Sequence, residues 1–273
     1  MPIGIFDSGF GGLTVMKEIV RVLPQYDYVY LGDNARAPYG PRSFETIYKY
    51  TLQVVKWFFE RDCALVILAC NTASAKALRT IQQQDLPKLD PKRRVLGIIR
   101  PVTENANLFS QSKHIGILGT EGTVSSRSYV IEIQKFFPDL MVTQEACPMW
   151  VPLIENGEHE SPGADYFVQK HIHRILQSDP LIDALVLGCT HYPLLMNKIK
   201  KYLPPHVKVI SQGELVATSL AEYLQRHPEI EQRCEKNGQR VYYTTEAPET
   251  FNATANLFCD KPIQALHTSL EGY

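Results

Sequence analysis

The chain has 273 residues, with 28 Lys and Arg against 29 Asp and Glu, for a formal net charge of -1. Apolar residues at 44% and charged residues at 21% describe a globular chain rather than a disordered one, long enough for one large domain or two of ordinary size. The balanced charge argues against a nucleic-acid-binding domain, and no apolar run approaches the ~20 residues of a membrane helix.

From the first residues, short apolar runs alternate with helical patterns. Ile3–Phe6 reads as a buried strand ending in the turn Asp7-Ser8-Gly9-Phe10-Gly11-Gly12. Leu13, Met16, Ile19, Val20 and Leu23 then share one helical face up to Pro24. Tyr28–Leu31 is a second strand, ending at Gly32-Asp33. After the Pro/Gly loop Ala37–Pro41, Ser43 is placed to cap a helix running to about Glu60. Ala64–Ala69, wholly apolar, has the character of a parallel strand covered on both faces, and runs into Cys70-Asn71-Thr72 and a helix to about Gln82. Asp85–Arg94, with two prolines and a small basic cluster, reads as an exposed connector before a strand at Val95–Ile99. The plan then repeats: Ile115–Thr120 echoes Ile3–Asp7, and Ala184–Cys189 echoes Ala64–Cys70. A helix from Glu214, a strand at Arg240–Thr244 and a helix from Pro248 close the chain. Such alternation indicates parallel α/β sheets in two similar halves.

Six cysteines, at positions 63, 70, 147, 189, 234 and 259, form no Cys-x-x-Cys pair, so neither a zinc ribbon nor a thioredoxin-type site is indicated. The N-terminus lacks the basic start and cleavage site of a secretory signal. The expected location is cytoplasmic, where the thiols stay free. Cys70 and Cys189 stand apart, because each ends a buried strand at the matching point of its half, where ligands gather in open α/β sheets. Helix starts there would favour an anion, either a substrate carboxylate or a thiolate. A disulfide, or a nucleophile with a histidine base, would also use such residues. Racemisation at a carbon acid fits both thiols at once, since it needs one base on each face of a carbon, and a thiol's ordinary pKa near 8.5 suits proton exchange. His171 and His173 look like a metal pair, but i,i+2 spacing on a helix points them apart.

Several blocks together resemble the glutamate racemases of the aspartate/glutamate racemase family: Asp7-Ser8-Gly9-Phe10-Gly11-Gly12-Leu13-Thr14, Pro38-Tyr39-Gly40, Ala69-Cys70-Asn71-Thr72-Ala73-Ser74, Gly119-Thr120 with Thr123, Ala146-Cys147-Pro148 through Glu155, and Gly188-Cys189-Thr190-His191-Tyr192-Pro193. They run in the family's order from about residue 3 to 215. Ile98-Ile99-Arg100-Pro101 departs from the family's pattern in its arginine. The resemblance implies two α/β domains related by pseudo-symmetry, with the active site in the cleft between them. The first would comprise residues 1–98 plus 210–273 and the second 99–209. It implies interconversion of L- and D-glutamate, supplying D-glutamate for peptidoglycan, without a metal or other cofactor. Cys70 and Cys189 would be the acid/base pair, Asp7 assisting Cys70, and Glu155 and His191 assisting Cys189. Asp7, Ser8, Tyr39, Gly40, Asn71, Thr72, Thr120, Thr123, Thr190 and His191 would hold the substrate. Cys147 reads as packing beside the site. The expected partner is the small-molecule substrate alone, with neither nucleic acid nor membrane, and with a homodimer as a possible assembly.

Two rival readings stay open on sequence alone. Gly9-x-Gly11 after a strand, with Asp33 ending the next, suggests a dinucleotide site, although Thr14 stands where a third glycine or alanine belongs. A non-catalytic dicarboxylate binder would use the same turns. Within the family, aspartate and glutamate differ by one methylene, worth only ~1–3 kcal/mol in a pocket.

Overall fold

Ten strands fall into two sheets in which every pairing is parallel. They are β1 (Ile3–Asp7), β2 (Tyr28–Gly32), β3 (Leu65–Leu68), β4 (Arg94–Gly97), β5 (His114–Gly119), β6 (Met141–Ala146), β7 (Ala184–Gly188), β8 (Lys208–Ile210), β9 (Arg240–Thr244) and β10 (Ala265–His267). The structure, a computed structural model, describes residues 1–273. The first sheet has the order β10-β9-β2-β1-β3-β4 and the second β6-β5-β7-β8. The cores β2-β1-β3-β4 and β6-β5-β7-β8 are therefore the same topology used twice, as the sequence echoes imply. The C-terminal strands extend only the first sheet, through the parallel pairing of β9 with β2.

Register sets the ends of the strands side by side. Phe6 pairs with Leu68, so Asp7 and Cys70 leave the first sheet as neighbours. Gly119 pairs with Gly188, which places Thr120 next to Cys189 in the second. Both pairs lie at the switch point, where the chain order reverses about the central strand and the sheet opens a crevice.

Burial explains the strands that were legible. Every residue of β1, β2, β3 and β7 is buried, hence their continuous apolar runs. Strands β6 and β8 are partly exposed edges, and β10 is three residues long, so none carried a clear pattern. The helix Phe44–Glu60 starts where Ser43 Oγ accepts the Thr46 N–H at 3.2 Å, and packs Ile47, Val54, Val55, Trp57 and Phe58 onto one face of the first sheet. The other face, with Ile3, Ile5, Tyr28 and Tyr30, shares one continuous core with Trp150, Ile172, Leu185 and Leu187 of the second half. No helix is long and apolar enough to cross a membrane.

The expected connector at Asp85–Arg94 is shorter than its prolines suggest. Helical structure continues to Leu89 through a π turn at Ile81–Asp85, which widens the backbone just where Pro87 withholds an N–H. Strand β4 also stops at Gly97, and a helix begins at Ile99 instead. Arg100 on that helix points to solvent and pairs with Glu104 at 2.7 Å. Trp57 and Phe58 meet edge to face at 5.0 Å with neither ring exposed. Truncating Phe58→Ala should cost ~3–5 kcal/mol of stability, read as a lower urea midpoint, and a loss under ~1 kcal/mol would contradict this packing.

Candidate active site

Asp7 is the last residue of β1 and is almost wholly buried. Its Oδ2 accepts the Gly9 N–H at 3.0 Å, which folds the chain back over the strand end. Two glycines in this turn are required by what lies against them. A Cβ at Gly12 would stand 2.5 Å from Asp7 Cβ, and one at Gly11 would stand 2.3 Å from both His191 Nδ1 and Thr190 Oγ1. The turn is thus filled by the other domain rather than shaped around a phosphate. Thr14 Oγ1 donates to the Thr190 carbonyl at 3.0 Å, and Thr190 Oγ1 donates to Asp7 Oδ1 at 3.5 Å. Asp33, the would-be ribose ligand, is buried and accepts from Arg36 Nε at 2.7 Å, Thr245 Oγ1 at 2.9 Å and the Tyr39 hydroxyl. With both features committed internally, the dinucleotide reading loses its basis.

Cys70 follows β3 and caps the helix Asn71–Lys76, its sulfur accepting the Ala73 N–H at 3.5 Å. Ser8 Oγ lies 3.4 Å from the same sulfur. Burial, and then the charge of Asp7, push the Cys70 thiol up to about 12, against the lowering effect of Ser8 and the Ala73 N–H. The Asn71 side chain turns to Gln212 and Tyr129. Thr72 Oγ1 meets Thr120 Oγ1 at 3.0 Å across the two halves, and Thr120 in turn caps the helix Glu121–Ser126 by accepting the Thr123 N–H at 3.2 Å.

Cys189 follows β7, but its surroundings differ from those of Cys70. After it the chain makes a 3₁₀ segment, Tyr192–Leu195, with no α-helical cap. Helical structure starts only at Tyr192, with Pro193 in its first turn, and passes into the α-helix Met196–Tyr202, whereas at Cys70 the helix begins at the next residue. The sulfur instead faces His191 Nδ1 at 3.9 Å, and His191 Nε2 lies 2.8 Å from Glu155 Oε1. Burial alone would lower the His191 pKa. Hydrogen bonds to Cys189 and Glu155, with their charges, outweigh it and raise the group to about 10, leaving an imidazolium at neutral pH. Burial raises the Asp7 pKa above its ordinary value, opposed by the His191 charge and by the Gly9 and Gly12 N–H groups.

These turns enclose a cavity of about 220 Å³. It is lined by Cys70 and Cys189 together with Asp7, Ser8, Tyr39, Gly40, Asn71, Thr72, Thr120, Glu155, Thr190 and His191. Thr123 is not among them. It is fully buried behind Thr120, which it helps to fix. Cys147, Pro148, Val151 and Pro152 form an adjoining wall, in line with a packing role for Cys147. Glu121 also lines the cavity, and sequence reasoning did not single it out. An acid in the first turn of a helix is common for dipole reasons alone, so no signal marked it. No Lys or Arg lines the cavity. Its volume falls below the ~300–1,000 Å³ of a drug-sized site, so it suits a small metabolite and not a dinucleotide. His171 and His173 are indeed divided, the first buried against Glu145 at 2.7 Å and the second exposed. No group of three or more His, Cys, Asp or Glu side chains is arranged to hold a metal ion.

Two parallel α/β sheets thus bring one thiol each to a single small cavity. The chain belongs to the Asp/Glu/hydantoin racemase family, whose profile matches residues 3–220. It is similar to the glutamate racemase of Geobacter metallireducens, at 39% identity over 257 residues, 94% of this chain and 92% of that one. To the glutamate racemase of Streptococcus suis it is 37% identical over 270 residues, 98% of each chain. Among solved structures it resembles a glutamate racemase isoform from Bacillus anthracis, with a TM-score of 0.89 and 33% identity over 98% of this chain and 97% of that one. It also resembles the glutamate racemase of Francisella tularensis in complex with D-glutamate, with a TM-score of 0.87 and 31% identity over 100% and 98%.

The raised His191 pKa makes a prediction about stability. The folded protein keeps the His191 proton up to about pH 10, while the unfolded chain releases it near 6.5. The contribution is complete below pH ~6.5 and is lost as pH rises towards 10, so the urea midpoint should fall over this range. In His191→Asn the fall between pH 6.5 and 9 should flatten, and an unchanged slope would contradict the assignment. Gly11→Ala should lower the midpoint as well, because its methyl group cannot fit against His191 and Thr190.

Proposed function

We propose that the chain interconverts L- and D-glutamate by a two-thiol proton transfer that needs no cofactor, supplying D-glutamate for peptidoglycan from the cytoplasm. The observation that carries this reading is the pair of thiols, Cys70 and Cys189, reaching one cavity from topologically equivalent strand ends of the two halves. A planar carbanion can be reprotonated on the face opposite to proton loss only when a second donor waits there. The division into residues 1–98 plus 210–273 and 99–209 follows as part of the proposal, supported by the placement of β9 and β10 in the first sheet.

In the L-to-D direction the Cys189 thiolate takes the α-hydrogen as the Cα–H bond breaks and an S–H bond forms. The Cys70 thiol gives its proton to the opposite face and becomes the thiolate. The reverse direction exchanges the roles. The environments suit this starting state: Cys70 is held as a thiol by burial and Asp7, while an imidazolium faces the Cys189 sulfur. Glu155 holds the His191 ring from its far nitrogen. Asp7 would receive the substrate ammonium or relay a proton beside Cys70. With no Lys or Arg in the cavity, the two substrate carboxylates rely on hydroxyls and backbone N–H groups at the Ser8, Tyr39-Gly40, Thr72, Thr120 and Thr190 turns, and His191 is the cationic side chain of the lining. The choice of glutamate over aspartate rests on the relatives that this chain matches at full length.

Circular dichroism of L- and D-glutamate and of L- and D-aspartate, without added cofactor, tests the activity. Glutamate should racemise in both directions, undiminished by EDTA. Cys70→Ala and Cys189→Ala should each lose at least ~1,000-fold of net racemisation, the scale of a general acid–base contribution. The double variant should lose little more, since the two thiols act as a unit. Near-wild-type conversion by either single variant in both directions would overturn the mechanism.

A further inference from the structure

Behind the two cysteine turns, three buried polar side chains close on one another. Asn71 Nδ2 donates to Gln212 Oε1 at 2.6 Å. Asn71 Oδ1 accepts from the Tyr129 hydroxyl at 2.8 Å and from Gln212 Nε2 at 3.2 Å. Gln212 Nε2 donates as well to the Tyr129 oxygen at 2.5 Å. Tyr129 is fully buried, and Asn71 and Gln212 are each 3% exposed. A ring of this kind, with its donors and acceptors matched internally, has one low-energy geometry, because any rearrangement strands a buried polar atom at ~1–3 kcal/mol.

The location of this ring matters more than its stability. Asn71 is the residue after Cys70. The Tyr129 ring packs against Gly188, the residue before Cys189, with Cε2 3.3 Å from where a Cβ would sit. Gln212 precedes the helix Gly213–Arg226, whose first residue abuts Glu18 on the helix that leaves the Asp7 turn. One hydrogen-bonded triad therefore ties the Cys70 turn to the Cys189 turn, with a third connection towards Asp7. None of these side chains needs to touch the reacting carbon to affect it. We propose that Tyr129 and Gln212 are positioning residues which, through the Asn71 side chain, set the separation of the Cys70 and Cys189 turns and thereby couple the two proton transfers. The inference rests on the two-thiol reading above.

Losing this link should leave each thiol able to reach the substrate from its own side but slow the handover between them. The carbanion then lives longer, the proton on the abstracting sulfur exchanges with solvent, and return to the same face increases. The experiment compares wild type, Tyr129→Phe and Gln212→Leu in deuterium oxide, starting from each enantiomer. It measures conversion together with deuterium incorporated into the unconverted enantiomer. The ratio of these two rates does not depend on how much of a variant is folded, so partial unfolding does not imitate the effect. The expected result in both variants is a ratio of exchange without inversion to racemisation raised at least about threefold. The value of kcat should fall about tenfold in both directions with KM within about threefold, consistent with an ångström-scale misplacement. A wild-type ratio in both variants, with kcat within about twofold, overturns the positioning role while leaving the two-thiol reading intact. Failure of wild type to place solvent deuterium at the α-carbon of product, or full conversion by Cys70→Ala, overturns both.

Discussion

Between the turn at Asp7–Gly12 and the turn at Cys189–His191 there is room for a glycine hydrogen and little else. A Cβ at Gly11 would overlap both Thr190 and His191, and one at Gly9 would press Glu155 at 3.2 Å. This contact lets the carboxyl ends of two separate sheets face one another across one small cavity lined by a thiol from each. It also converts a sequence feature that imitates a nucleotide loop into a joint. The hydrogen bonds of Thr14 and Thr190 across the same seam hold the joint closed. Much of the remaining architecture, the doubled β2-β1-β3-β4 plan and the core shared between the halves, serves to present these two turns to each other.

The pseudo-symmetry stops at the level of electrostatics. Cys70 sits at a helix N-terminus, which would favour a thiolate, yet it is buried beside a carboxylate that keeps it protonated. Cys189 caps no helix and faces an imidazolium held by Glu155 instead. The two settings are unequal: burial and Asp7 raise the Cys70 thiol, while the Cys189 sulfur lies 3.9 Å from His191 Nδ1.

The chain order of strands and helices was legible because buried parallel strands are unbroken apolar runs and because Ser43, Pro24 and the Gly turns punctuate them. The exceptions are instructive. The half-exposed edges β6 and β8 and the short β10 carry too few buried side chains to show a period, and the π turn before Pro87 defeats the expectation that a proline ends a helix. The echo between Ala64–Cys70 and Ala184–Cys189 marks equivalent positions, because identical places in a repeated sheet impose the same burial. The candidate site residues stand out as blocks of short polar residues at strand ends, and nearly all of them line one cavity.

Sequence by itself determined the residue types, the order of the elements and the equivalence of the two cysteines, since those depend on local pattern and on a repeat along the chain. It could not decide which partner each side chain would take. That Gly11 yields its space to His191 rather than to a phosphate, that Asp33 is used up by Arg36, Tyr39 and Thr245, and that Asn71 turns to Gln212 and Tyr129 all depend on residues far away in the chain. So do the charge states at Cys70 and His191, which are set by burial and by neighbours from the facing strands and turns. Partner choice and charge vary with distance in space, and only the packing of one sheet's carboxyl ends against the other's brings those distances into being.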